Sequence, residues 1–180
     1  NVNLLKTKDY NIFSVLQIQS KEVLICRMTA DLLNPRGQHG AGAEYLKIFL
    51  KDCLGMEKMD TKLADQAIVT AEYAIDDERR IDIVIEIGSH FLPIEVKIYA
   101  ADQKSQCFDY YQYAKRRDAQ AKVYYLTLDG HRPGKDSTSS GSQSVPEEDI
   151  VCLSFREHIL NWLKACKNCE NTGMIPILEQ

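Results

Sequence analysis

Three side chains near the middle of this sequence have the types and the spacing to do chemistry together. Glu95-Val96-Lys97 lies inside an apolar run, FLPIEVKIY. Strand side chains alternate faces, so Glu95 and Lys97 project to one side about 7 Å apart. Ile94, Val96 and Ile98 take the other side. Thirteen residues before Glu95, Asp82 interrupts a second apolar run of Ile81, Ile83, Ile85 and Ile87. The short Gly88-Ser89-His90 connection predicts a hairpin that sets the two runs side by side. Two carboxylates converging in a partly buried place repel each other unless something neutralises them, and a divalent cation with a neighbouring ammonium does so. The spacing therefore predicts a Mg²⁺ site on Asp82 and Glu95, with Lys97 beside it.

Positioning these groups requires a sheet with helices around it. Residues 10–33 read as helical, with Ile12, Leu16, Leu24, Met28 and Leu32 spaced for a buried stripe. Asn34-Pro35-Arg36-Gly37 is a turn signal that ends this helix. Tyr45, Leu46, Phe49, Leu50 and Leu54 repeat at helical spacing over 43–54, and Gly55 marks that helix's end. A strand follows over 67–73, then the motif strands over 79–87 and 91–99. Asp102 is the expected N-cap of a helix running to Arg117, and 121–128 is a further strand. A helix between two strands implies a parallel crossover, so an α/β chain with a mixed central sheet in the order α-β-β-β-α-β emerges from pattern. The aperiodic stretch 129–149, DGHRPGKDSTSSGSQSVPEED, reads as a mobile loop. It is either a cover for a substrate groove or a solvated excursion. Residues 150–155 form a short strand, and Ile159, Trp162, Leu163 and Cys166 give the stripe of a closing helix. One domain over 1–180 is expected, with a helical part at 10–54, a core at 67–128, the loop, and a closing strand and helix at 150–169.

Composition narrows the partners. With 180 residues, 44% apolar and 27% charged, the chain has enough length for a sizeable core. A formal charge of -4 means that nucleic acid would be held by local basic residues and a bound metal rather than by the whole surface. No run approaches 18 apolar residues and no signal core precedes residue 20, so the expectation is a cytoplasmic protein with no membrane contact. The start at Asn1 and the apolar Met174 to Leu178 run suggest trimming at one or both ends. The six cysteines read as free thiols. Serine-hydrolase, P-loop and dinucleotide-binding chemistry lack their key residues here.

Ile81-Asp82, then Glu95-Val96-Lys97, then Gln106-Cys107-Phe108-Asp109-Tyr110 resemble the PD-(D/E)XK nuclease superfamily, and the last element resembles its RecB-like branch. Ile81 stands where the usual proline would precede the aspartate. Leu32-Leu33-Asn34-Pro35, Gly37-Gln38-His39-Gly40-Ala41-Gly42, Tyr125-Leu126-Thr127-Leu128-Asp129-Gly130 and Trp162-Leu163 extend the likeness to a bacterial PD-(D/E)XK family of uncharacterised or defence-linked nucleases, over nearly the whole chain. The resemblance implies a restriction-endonuclease-like core and metal-dependent hydrolysis of phosphodiester bonds, of DNA in the first instance. Asp82 and Glu95 would hold Mg²⁺ or Mn²⁺, helped by the Val96 carbonyl. Lys97 would orient or help deprotonate the attacking water and stabilise charge on the phosphate. An acid from the helix before the first strand would complete the metal shell. Glu44 is favoured for that role and Glu22 is its rival. The resemblance also suggests an iron-sulfur cluster on Cys26, Cys152, Cys166 and Cys169 as an alternative to free thiols.

Gln106 and Tyr110, four apart, share a helix face, so both can look toward the acids. Gln106 would touch a metal-bound water or a phosphate, and Tyr110 would pack and orient. His39, in a glycine-bounded turn before a helix, is either a structural cap or a phosphate contact. Arg116 lies in the densest basic patch, Lys115 to Arg117 with Lys122, which suits a phosphate backbone or merely solvates a face. Structural readings stand beside all of these: a surface ion pair for Lys97 and Glu95, a solvated charge for Glu44 or Glu22, and core packing for the tyrosines. As a whole, the alternative to a nuclease is a catalytically silent nuclease-like module that binds nucleic acid or assembles, as a homo-oligomer or within a defence or toxin system.

Overall fold

The computed structural model describes residues 21–57 and 60–169. Helices α1 (Glu22–Leu33), α2 (Glu44–Asp52) and the short α3 (Thr61–Ala64) precede three strands, β1 (Ile68–Ala74), β2 (Arg80–Ile87) and β3 (His90–Lys97). Helix α4 (Gln106–Arg117) leads to β4 (Val123–Thr127). A short α5 (Lys135–Thr138) and a small hairpin, β5 (Ser139–Ser140) and β6 (Gln143–Ser144), separate β4 from β7 (Ile150–Ser154). A π-helical turn, Phe155–Ile159, then runs into α6 (Leu160–Cys166).

Among the described residues, β1-β2-β3-β4-β7 form one mixed sheet. The first three strands are antiparallel neighbours, and β3-β4 and β4-β7 are parallel. The parallel step from β3 to β4 is carried by α4, as the helix between two strands predicted. Alternation assigns the faces. Ile83, Ile85, Leu92, Ile94, Val96, Tyr124 and Leu126 join the larger apolar cluster with residues of α1, α2 and α6, among them Leu33, Phe49 and Trp162. Val84, Phe91 and Tyr125 face the other way and pack with Cys107, Tyr110 and Ala114 of α4. Covered on both sides, β4 is buried throughout. The expected α/β architecture with helices on both sheet faces is thus present.

Several local expectations change. Of the stripe predicted for the first helix, Leu32 is buried in α1 but Leu24 is 41% and Met28 37% exposed, and Cys26, Thr29, Ala30 and Leu33 complete the buried face instead. Small Cys, Thr and Ala side chains let the helix axis approach the sheet, which the larger Leu24 and Met28 would prevent. Ile12 and Leu16 lie outside the described residues, as does the Met174 to Leu178 run. The second helix follows its predicted stripe, with Tyr45, Leu46, Phe49 and Leu50 buried, and Gly55 adopts φ +66° just beyond it. Gly37 is required by close approach, since a Cβ there would lie 2.2 Å from the Asp31 carbonyl oxygen.

Asp102 does not cap α4. Its carboxylate accepts hydrogen bonds from the Tyr125 hydroxyl (2.7 Å) and the Gly134 N–H (2.7 Å). Ser105 precedes the helix at φ +56°, and the Cys107 N–H finds its acceptor in Ser137 Oγ at 3.3 Å. That acceptor comes from the 129–149 stretch, which the sequence presented as an aperiodic loop. The stretch instead carries α5 and the β5-β6 hairpin and buries Ser137 and Val145. Polar side chains and backbone groups hold it against the start of α4, a kind of order with no hydrophobic period to announce it.

Candidate active site

The site lies on the α4 side of the sheet, where β2, β3 and the start of α4 meet. Because Ile94 and Val96 are drawn into the apolar cluster, Glu95 and Lys97 must turn to the opposite face, where they are 1% and 8% exposed. Lys97 Nζ lies 2.7 Å from Glu95 Oε1. Asp82 arrives from β2 at the point where the β2-β3 ladder stops. Ile83 pairs with Ile94, and one step further the Val96 N–H donates to Asp82 Oδ2 (2.8 Å) in place of a backbone carbonyl. The β1-β2 pair changes face at the same place. Ala71 and Ile83 belong to the larger cluster, whereas Tyr73 and Ile81 belong to the α4 cluster. Between Ala71 and Tyr73, Glu72 sits at φ +54°, a conformation unfavourable for a residue with a side chain. Arg27 of α1 holds it there with Nε and Nη2 at 3.0 and 2.6 Å from Glu72 Oε2.

Helix α1 brings a further acid. Glu22 Oε1 accepts three successive backbone N–H groups, from Ile98 (2.6 Å), Tyr99 (2.9 Å) and Ala100 (3.1 Å). Burial pushes the Glu22 carboxyl up, but the N–H groups of Tyr99, Ala100 and Ile98 and the charge of Lys97 outweigh it and leave the pKa below its ordinary value. The other two acids go the opposite way. Burial raises Asp82 above its ordinary range against the pull of the Val96 N–H and Lys97. Burial, then the charge of Asp82, raises Glu95 to about 8 despite the attraction of Lys97. Lys97 itself is pulled down by burial and up, more strongly, by Glu95, Asp82 and Glu22, and so remains an ammonium.

Among the described residues no donor reaches the buried Glu95 Oε2, and the hydrogen bond between the Glu95 and Asp82 carboxyls needs a proton shared by two acids. A desolvated carboxylate oxygen beside a second carboxylate is costly unless a proton or a cation joins it. This donor set fits a hard divalent ion that keeps several waters. Among the described residues, no group of three or more His, Cys, Asp or Glu side chains could hold a metal. The side-chain share of such a shell is therefore small, and waters would fill the rest. The surrounding pocket measures about 310 Å³, and Glu22, Arg79, Arg80, Gln106 and Tyr110 line it with the central three residues.

Gln106 and Tyr110 share the helix face predicted for them and reach the pocket. Gln106 Nε2 donates to the Tyr110 hydroxyl (3.1 Å), which donates in turn to the Arg80 carbonyl. Tyr110 is buried and fully engaged, so it orients its neighbours and has no face free for a base. Three other candidates lie elsewhere. Glu44 is exposed, pairs with Lys47 at 3.0 Å and does not line the pocket; the helix that delivers an acid is α1, through Glu22. His39 is structural but does not cap α2, whose N-cap is Ala43 with no side-chain bond: Nδ1 accepts the Ala41 N–H (3.1 Å), which leaves Nε2 to donate to the Asn34 carbonyl (3.0 Å), and the ring stacks on Tyr45, so it braces the turn before the helix. Arg116 lies over the Tyr113 ring, away from the pocket, while its neighbours Lys115 and Arg117 pair with Asp149 and Glu86. The cluster alternative also lapses among the described residues, where Cys26, Cys152, Cys166 and Cys169 are free thiols.

Arg79 joins the site without any signal in the sequence. Its guanidinium donates to Asp109 (3.0 Å), to Gln103 Oε1 (2.8 Å) and to the Lys104 carbonyl, which ties the start of β2 to the start of α4. No local pattern announces such a clamp, because its partners lie 24 to 30 residues away. Among the described residues no helix is long and apolar enough to cross a membrane.

A family model described as the PD-(D/E)XK nuclease superfamily matches residues 10–175. Comparison with curated proteins finds no match, and comparison with solved structures finds none.

Proposed function

Since the chain belongs to the PD-(D/E)XK nuclease superfamily, whose substrates are nucleic acids, we propose that it hydrolyses phosphodiester bonds of DNA with Mg²⁺ or Mn²⁺ held by Asp82 and Glu95. The observation that carries this reading is the buried Glu95 Oε2, which no donor reaches among the described residues, beside the Asp82 carboxylate, with the Lys97 ammonium 2.7 Å from the other oxygen of the Glu95 carboxylate. A scaffold gains nothing from such a cluster, whereas a site built to receive a cation needs it.

The ion, when bound, would supply Lewis acidity toward the phosphate and a water made acidic enough to attack. The chain's own residues do the rest. Asp82 and Glu95 offer the oxygen ligands, and the Val96 carbonyl, between Glu95 and Lys97 in the sequence, would add a third. Lys97 presents its charge where negative charge develops on the phosphate oxygens. Gln106, buried in the pocket wall and steadied by Tyr110, offers an amide to a water or phosphate oxygen. Glu22 secures the backbone after Lys97, so the lysine's reach is set by helix α1. Glu22 lines the same pocket without joining the ion's ligands, since no three acids among the described residues lie close enough to share one, and the rest of the shell is left to water.

The test is cleavage of single-stranded DNA, duplex DNA and RNA by purified protein in Mg²⁺ or Mn²⁺ against a chelator, beside Asp82→Ala and Lys97→Ala. Metal-dependent cleavage that both variants lose supports the reading. Equal cleavage by all three proteins sinks it, and binding of nucleic acid without cleavage under any of these conditions would favour a non-catalytic module.

A further inference from the structure

Two adjacent arginines at the rim of the pocket have opposite fates. All three guanidinium nitrogens of Arg79 are committed to α4 and the segment before it. Arg80 lines the same pocket and is exposed, and its guanidinium has no hydrogen-bond or ion-pair partner among the described residues. This is unusual company for an unpaired arginine, because Glu22, Glu78, Asp82 and Glu95 line the pocket with it. Three of those acids are already engaged: Glu22 by three N–H groups, Asp82 by the Val96 N–H and Glu95 by Lys97.

The backbone of Arg80 is well anchored. It pairs with Ala74 across β1-β2, and its carbonyl accepts the Tyr110 hydroxyl. A guanidinium launched from a fixed point, with no partner of its own, is prepared to take an anion that arrives with the substrate. Charge points the same way. Four carboxylates and three cations line the pocket, a formal balance of one negative charge, and one divalent ion reverses it to one positive. Anions are therefore admitted after the ion, and Arg80 is the free cation waiting for them.

We infer that Arg80 is a substrate-binding residue, holding through its fork of N–H donors a phosphodiester next to the one being cut. This rests on the nuclease reading above and extends it to a residue whose role is affinity rather than chemistry. The basic patch at Lys115 to Arg117 is correspondingly not the primary phosphate contact, since Lys115 and Arg117 are neutralised internally.

The experiment compares wild type, Arg80→Ala, Arg80→Lys and Arg79→Ala in steady-state cleavage of a labelled DNA oligonucleotide at several salt concentrations, with folding checked by circular dichroism. Arg80→Ala should raise KM about tenfold and leave kcat within about twofold. It should also flatten the slope of log(kcat/KM) against log[salt] by about one. Arg80→Lys should restore the slope but only part of the affinity, because it keeps the charge and loses the fork. Arg79→Ala should lower kcat or stability without changing the slope. An Arg80→Ala enzyme with unchanged KM and unchanged salt slope overturns the assignment while the nuclease reading stands. Failure of the wild type to cleave any nucleic acid overturns both.

Discussion

The two faces of β3 are equally buried and do opposite things. Ile94 and Val96 face the larger apolar cluster, where burial itself stabilises the fold. Glu95 and Lys97, alternating with them on the same strand, are shut away almost as completely on the α4 side, where burial penalises charge and is only partly offset by their ion pair. Alternation along one strand therefore separates a stabilising apolar face from a destabilised, charged one across a single backbone. The second is tolerated because the first holds the strand in place.

Substitutions should separate the two faces cleanly. The largest effects on turnover are expected at Asp82→Ala and Lys97→Ala, each lowering kcat at least ~100-fold with a native circular dichroism spectrum. On the other face, Ile94→Ala should reverse that pattern: a loss of about 2–5 kcal/mol in unfolding free energy by urea titration, with activity per folded molecule retained. A defect in activity as severe as that of Lys97→Ala would break the distinction. The two rival acids give a smaller contrast. Glu22→Ala removes the acceptor of three N–H groups behind Lys97 and should lower kcat/KM about tenfold, on the order of one charged hydrogen bond. Glu44→Ala, which loses only its exposed pairing with Lys47, should stay within about twofold.

The smallest and most graded effect is that of pH. Glu95 titrates at about 8 in the metal-free protein, raised by burial and by Asp82 from an ordinary value of 4.5. Below about 8 an incoming ion must displace that proton, so Mn²⁺ affinity measured by calorimetry should rise with pH and level off above about 8. The sign for stability is opposite. Between 4.5 and about 8 the folded state holds a proton that the unfolded state has released, so metal-free stability should fall as pH rises through that window. Saturating metal should remove much of that fall. A metal-free stability that instead rises across the same window would show that Glu95 is not a protonated, desolvated acid.

Legibility in the sequence followed the range of the interaction. Asp82, Glu95 and Lys97 could be read because strand alternation and a short hairpin act over a few residues, and Gln106 and Tyr110 because four residues make one helical turn. The choice between Glu44 and Glu22 could not. Both are acids in the first turn of a helix, and which helix faces the site depends on how each docks on the sheet. The same reason misassigned Leu24 and Met28: periodicity shows that a helix has faces, but the helix's neighbours decide which face is buried. The 129–149 segment was opaque because side-chain and backbone hydrogen bonds order it, and these leave no period.

The sequence by itself determined the order of the core elements, the acid-acid-lysine spacing and the superfamily, since all of these are written in local alternation and spacing. Tertiary structure alone decided that Glu22 rather than Glu44 approaches the centre, that Glu72 and Arg27 hold the turn of β1 opposite Asp82, and that the Arg79 guanidinium is engaged while that of Arg80 has no partner among the described residues. Each of these depends on contacts between segments tens of residues apart. Such contacts exist only once the apolar face of the sheet has drawn its helices into place.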